Sequence, residues 1–243
     1  MPLVQNVKGG VWDGPAAAAL LSSPARRKAL IDSLELAVKS YGGSGITFDL
    51  ENLPASAQRD YLALLTEAGA RFAARGWSVA VTVPANDEDW NLAAYGRAAD
   101  LVIVMAYDEH WQTGTPGAIA SKPWFAKAVA QAASKVPSRK LVIGLASYGY
   151  DWPPRGPATP VSVQDALARA AAAGVTPTRD PSSGELHFGY SDHGVRHQVW
   201  FVDAEASRAQ NDKVQSTGLR NLALWRLGTE DPAIWDWLGR RAR

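Results

Sequence analysis

The run Gly45-Ile46-Thr47-Phe48-Asp49-Leu50-Glu51 alternates, placing Ile46, Phe48 and Leu50 on one side and Gly45, Thr47, Asp49 and Glu51 on the other. It predicts a strand whose two acids share a face, ended by Asn52-Leu53-Pro54. Upstream, Leu3 to Val7 reads as a short strand, followed by a turn through Gly9, Gly10 and Gly14. Ser23 as N-cap and Pro24 at the first helical position open a helix with the stripe Leu30, Leu34, Ala37 and Val38, which Tyr41-Gly42-Gly43 stops. Downstream of Pro54, Tyr61, Leu64, Leu65, Ala68 and Phe72 recur at helical spacing and Gly76 closes the segment. Val79 to Pro84 is strand again. After a short segment from Trp90 to Ala99, Leu101 to Asp108 is a continuous apolar run typical of a parallel strand buried on both faces. Ser121 and Pro123 begin a helix. Leu141 to Ala146 is the fifth strand, leading through Ser147-Tyr148-Gly149-Tyr150-Asp151-Trp152 into a Pro/Gly loop.

The rhythm breaks between Pro160 and Val202. There a helix from Ser162 to Ala173, with Ser162 and Asp165 as a capping-box-like pair, precedes two candidate strands, Glu185 to Tyr190 and Val195 to Val202. A helix from Asp203 to Thr217, a sixth strand from Asn221 to Trp225 and a last helix from Asp231 to Trp237 follow. Alternating β and α units of about 30 residues predict an α/β fold, a parallel sheet with helices outside, as in a (β/α)8 TIM barrel whose site lies at the C-terminal strand ends. The expected organisation is barrel over 1–160, a small α+β insertion over 161–202 and the end of the barrel over 203–243.

Composition narrows the chemistry. The 243 residues are 47% hydrophobic and 20% charged, enough for one domain with a substantial core. Lys plus Arg number 25 against 24 acids, which offers no electrostatic footprint for nucleic acid or an anionic membrane surface. The absence of Cys excludes disulfides and Cys-ligated zinc. No apolar run approaches the ~20 residues of a membrane span, and Met1-Pro2-Leu3 begins neither a basic nor an apolar leader. Ten Trp are many for this length, and several fall in predicted loops, where flat indoles stack on sugar faces if they are not simply core.

Two acids on an inward strand face carry a desolvation cost that packing alone would avoid, unless the strand end is solvated. In a low-dielectric pocket they cannot both stay comfortably ionised, so one becomes a proton donor near neutral pH. Glycoside hydrolases use such acids to protonate a leaving oxygen, and those acting on N-acetylated sugars let the substrate's acetamido oxygen be the nucleophile. Ser44 to Glu51 resembles the signature of glycoside hydrolase family 18, Asp-Gly-x-Asp-x-Asp-x-Glu, with its last two acids retained. Ser44 and Thr47 stand where chitinases have Asp, which is similar to the branch containing spore-cortex peptidoglycan glucosaminidases.

The resemblance implies roles for particular residues. Glu51 would be the acid/base, Asp49 would orient the acetamido N–H, and Tyr107 of Met105-Ala106-Tyr107-Asp108 would hold the acetamido carbonyl. Trp225 would floor the sugar subsite, ahead of a non-prolyl cis peptide. Asp108 and Asn52 beside these residues, with Tyr148 and Trp152 past a strand end, are candidate substrate contacts. Aligned by motif, the acidic strand is the family's fourth and Trp225 closes its eighth, so 1–160 holds strands three to seven and two βα units are missing before Leu3. An upstream extension is then expected to raise stability. The expected substrate is a β-linked N-acetylglucosamine polysaccharide, peptidoglycan or a chitin-like exopolysaccharide, in the cell envelope or secreted. No cofactor is expected, and no metal, because His193 and His197 lie on a presumed hairpin without a completing carboxylate pattern. Residues Glu109 to Trp111 and Pro116 to Ser121 resemble domains fused to polysaccharide deacetylase and glycosyltransferase modules. The alternative reading is a non-catalytic glycan-binding or assembly domain of the same fold.

Overall fold

The computed structural model describes residues 1–238. The chain divides into two compact units, Met1–Met105 with Ala132–Val142, and Ala106–Gln131 with the chain from Ile143 on. The first unit opens with β1 (Leu3–Gln5) and a short antiparallel ribbon of β2 (Val7–Lys8) and β3 (Val11–Trp12). Helices α1 (Gly14–Leu21) and α2 (Pro24–Ser40) precede β4 (Gly45–Asp49), and α3 (Gln58–Ala73), β5 (Ser78–Pro84), α4 (Leu92–Ala98) and β6 (Leu101–Met105) follow. The four longer strand segments are parallel in the order β1-β4-β5-β6.

These elements form where side-chain chemistry directs them. The Ser23 hydroxyl accepts from Arg26 N–H at 3.4 Å and Pro24 starts α2 with its φ already set. Helix α3 buries Tyr61, Leu64, Leu65, Ala68 and Phe72, the stripe read from the sequence, and each large side chain contributes about 1.5–3 kcal/mol of burial. Gly45 is required at the start of β4. Its φ is 151°, and a Cβ there would lie 2.0 Å from the Ser78 carbonyl oxygen, so only glycine lets β4 approach β5.

Helix α5 (Lys122–Lys135) and strand β7 (Leu141–Ala146) connect onward. In the second unit, β7 pairs in parallel with the last strand, and between them come β8 (Gly149–Trp152), β9 (Thr159–Val161), α6 (Val163–Ala172), β10 (Thr178–Arg179), β11 (Leu186–Asp192), β12 (Val195–Phe201) and α7 (Ala204–Ser216). The last strand is β13 (Leu222–Trp225), followed by α8 (Ile234–Leu238). Strands β8 to β12 form a five-stranded antiparallel sheet in the order β10-β11-β12-β8-β9. Two of these strands, β8 and β9, lie in the stretch that the sequence pattern assigns to a loop. Helix α1, capped by Asp13, which accepts from Ala16 N–H at 3.0 Å, is likewise absent from the pattern reading.

The fold is α/β, of the (β/α)8 barrel type. Its parallel strands among the described residues are β1, β4, β5, β6, β7 and β13, two short of a full barrel.

Candidate active site

In the first unit, β4 delivers Asp49 at its C-terminal end, and two more residues bring the chain to Glu51. Parallel register sets Gln5 of β1 opposite Asp49, and the Gln5 amide donates to Asp49 Oδ2 at 2.8 Å. From the other side, the Thr82 hydroxyl of β5 donates to Asp49 Oδ1 at 2.5 Å. Asp49 is 4% exposed, so it is a buried acceptor fixed by one donor on each oxygen. Glu51 is held by its backbone. The Asn6 side chain donates to Glu51 O at 2.8 Å and accepts from Glu51 N–H at 2.9 Å, continuing the strand ladder with a side-chain amide. Asn52 then turns the chain at φ 54°.

A cleft of about 160 Å³ opens here, lined among others by Glu51, Asn52, Thr82, Asp87, Trp90 and Met105. Trp90 stacks on Tyr95 with centroids 5.2 Å apart, and Tyr61 meets Trp90 edge-on at 6.0 Å. Burial pushes the phenols of Tyr61 and Tyr95 above their ordinary values, so both stay neutral at working pH. Gln5, Asn6, Thr82 and Trp90 are the residues the sequence reading missed here. A polar residue at the C-terminal end of a predicted barrel strand was the available signal for Gln5 and Asn6.

In the second unit, Tyr107 and Asp108 lie just past the end of β6. Asp108 adopts φ 62°, and its Oδ1 accepts from the hydroxyls of Tyr148 at 2.5 Å and Tyr150 at 3.2 Å. Burial raises the Asp108 carboxyl, and the two phenol bonds oppose that shift. Tyr107 meets Tyr148 edge-on at 6.3 Å, Tyr148 meets Tyr150 at 5.4 Å, and Tyr150 meets Trp152 at 5.3 Å. This aromatic row fixes the phenols that hold Asp108. Trp152 is 3% exposed, packed in a buried cluster with Tyr150 and Ala158, and it also borders a cavity of about 650 Å³ lined by Tyr190, Arg196 and His197. Trp225 is 41% exposed at the end of β13, beside β7 in register with Ala146. The Trp225–Arg226 peptide is cis, as the family resemblance implies. Ser147 secures both residues, its N–H donating to Trp225 O at 2.8 Å and its hydroxyl to Arg226 O at 2.7 Å.

The two histidines play separate parts. His193 is exposed in the β11–β12 turn, whereas His197 Nδ1 lies 2.7 Å from Asp151 Oδ1 in a cluster that also brings Arg169 and the Tyr190 hydroxyl to Asp151.

A buried, doubly hydrogen-bonded Asp two residues before a Glu at a cleft, both at the C-terminal end of a parallel strand, stands where a parallel α/β barrel carries its chemistry. Comparison with known proteins makes the class specific. The chain belongs to the glycosyl hydrolases family 18, whose model matches residues 9–230. The cortical fragment-lytic enzyme of Bacillus anthracis is 26% identical, the match covering 97% of this chain and 58% of that protein. The crystal structure of the Bacillus cereus spore cortex-lytic enzyme SleL superposes with a TM-score of 0.88 at 27% identity, over 98% of this chain and 58% of that one. A chitinase from Chromobacterium violaceum gives a TM-score of 0.86 at 29% identity, over 96% of this chain and 77% of its own. The chain thus spans about 58% of the length of the cortex-lytic relatives.

Proposed function

We propose that this chain hydrolyses β-linked N-acetylglucosamine polymers with retention of configuration, using the substrate's acetamido group as nucleophile. The observation that carries the reading is the fixed placement of Asp49 by Gln5 and Thr82, with Glu51 presented at the cleft by Asn6. In the first step the acetamido oxygen attacks the anomeric carbon and the glycosidic C–O bond breaks. Glu51 gives its proton to the leaving oxygen. Asp49, held as an acceptor, orients the acetamido N–H and balances the oxazolinium charge. Glu51 then takes a proton from water, which reopens the oxazolinium at the anomeric carbon. Two inversions leave the β-configuration. Tyr107 is assigned the carbonyl-holding role and Trp225 the sugar-floor role by the family resemblance. Asp108, Asn52, Tyr148 and Trp152 are assigned to substrate binding.

The names of the relatives, cortex-lytic enzyme and chitinase, support peptidoglycan and a chitin-like glycan alike, and the former favours the cell envelope as the place of action. Fusion or association with polysaccharide deacetylase and glycosyltransferase modules belongs to the same proposal.

Glu51→Gln removes the proton donor while preserving shape. Binding of N-acetylglucosamine oligomers should survive and turnover should fall by ~10²–10⁴-fold. De-acetylated oligomers should bind without being cut at glucosamine, and the first product from acetylated ones should be the β-anomer by NMR. Cleavage at glucosamine or an inverted product would overturn the substrate-assisted mechanism. One feature favours a second reading, a glycan-binding domain: Thr47, buried on the strand face of Asp49, stands where chitinases have a carboxylate, and a hydroxyl cannot take up a shared proton. A wild-type chain that binds the oligomers without any turnover would decide for it.

A further inference from the structure

Three consecutive backbone N–H groups in the turn before α5 end on carboxylates. Ile119 N–H donates to Glu185 Oε2 and Ala120 N–H to Glu185 Oε1, both at 2.7 Å, and Ser121 N–H donates to Glu109 Oε2 at 2.7 Å. Glu185 is 0% exposed and reaches the turn from the edge of β11. The same turn is tied to the strand end that carries Tyr107 and Asp108, because Glu109 N–H donates to Ile119 O at 2.9 Å. Glu109 is the residue after Asp108, whose left-handed backbone directs the chain and whose carboxylate anchors Tyr148 and Tyr150. Glu185 is therefore linked to the Asp108 backbone through one turn and two hydrogen bonds.

A fully buried carboxylate is a costly way to satisfy two amides. A neutral acceptor would avoid the charge's desolvation, so simple structural filling is a poor account of it. We propose that Glu185 is a positioning residue for the Tyr107–Asp108 strand end, acting through the backbone of the Ala118–Ser121 turn. The inference rests on the proposed reading of that strand end as part of the active site.

The charge is what makes the device work. The ionised carboxylate is the stronger acceptor at both oxygens, whereas the protonated form puts a proton on one of them and weakens its bond from the amide. Burial pushes the Glu185 carboxyl up to about 7, opposed by the Ile119 and Ala120 amides and assisted by Glu109 and Asp203. The other charged groups around it are engaged. Arg179 pairs with Asp203 at 2.7 Å and Glu205 at 3.0 Å and donates to Gly184 O, and the Lys122 amine lies 3.3 Å from Pro181 O. From α7, the Gln210 amide donates to Ala120 O at 3.3 Å. Between the ordinary carboxylate value of 4.5 and about 7 the folded chain holds a proton that the unfolded chain has lost, so ionising Glu185 lowers folding stability as pH rises. The turn is held in its working form above about 7 at the expense of stability, which fits a functional device.

The test uses the full chain. In 15N-labelled wild type the Ile119 and Ala120 amide resonances should titrate across neutral pH with a midpoint near 7, and the Tyr148 ring resonances should move in step. Glu185→Gln should abolish the titration. It should lower kcat on N-acetylglucosamine oligomers by about 10–100-fold, the cost of a misplacement of order 1 Å, with KM little changed. Amides that do not titrate near neutrality, a Tyr148 ring that stays still while they do, or a Glu185→Gln variant with wild-type kcat would each overturn the proposal. The wild-type titration needs no variant, so a misfolded substitution leaves it decisive. A wild type that turns over no glycan would overturn the functional reading, and the titration would still decide the positioning link.

Discussion

At the scale of single residues, the two acids were legible and their keepers were not. Alternation from Ile46 to Glu51 puts Asp49 and Glu51 on one face without reference to the rest of the chain. Gln5 and Asn6 hold them from 44 and 45 residues away, through a register that exists only once β1 lies beside β4. The three-residue strand β1 is too short for a period to show. Asn6 is the more informative of the two because it works in both directions on the Glu51 backbone. Asn6→Ala should lower stability by ~1–3 kcal/mol, the cost of leaving both backbone groups unpaired, and should reduce turnover by displacing Glu51. Asn6→Asp keeps the acceptor for Glu51 N–H but sets a carboxylate oxygen against Glu51 O, so it too should fall below wild type. Urea unfolding alongside steady-state rates would check the ordering, and equal stabilities for all three would refute the role given to Asn6.

Among elements, the helices α2, α3, α5 and α7 and the longer parallel strands follow from periodicity and caps, while α1, β8 and β9 do not. Helix α1 is alanine and leucine throughout after Gly14-Pro15, so it has no polar face to set a phase. Strand β8 is buried at all four positions, which erases the period-2 signal, and Gly149 is there because a Cβ would sit 2.2 Å from Trp200 O on the neighbouring strand. The pairing of α2 with α3 carries a charge pattern that titrates. Glu35 accepts from Arg71 at 2.6 Å and also from Arg75, and these bonds, Arg71 first, hold its carboxyl below the ordinary value of 4.5 despite opposing desolvation. With a depressed folded value, the stabilisation is present above 4.5 and is lost as pH falls through the folded value. Glu35→Gln should therefore be less stable than wild type at neutral pH, with the gap closing in acid below that range. Urea midpoints at neutral pH and in acid would measure it, and a gap that does not change with pH would mean that Glu35 contributes only packing.

For the molecule as a whole, the fold class was readable because βα alternation needs only the order of elements, which survives errors in their ends. A formal net charge of +1 bears on how substrate is met. With no dominant field, capture of a neutral glycan should depend on stacking and hydrogen bonds, so KM for uncharged N-acetylglucosamine oligomers should change less than about twofold between about 50 and 500 mM salt. A steep rise of KM with salt would instead indicate recognition of an anionic group on the glycan. The antiparallel sheet bears on colloidal behaviour. Its order β10-β11-β12-β8-β9 puts a two-residue strand at one border and a three-residue strand containing Pro160 at the other. Pro160 faces Tyr150 in the register and brings no N–H of its own to an incoming strand. Within that border β10 pairs with β11 at Leu186 and His187, and β8 pairs with β12 from Gln198 to Phe201. Restoring an N–H at residue 160 would give the β9 border a donor that another copy could pair with, and the first symptom would be precipitation on concentration rather than any loss of catalysis.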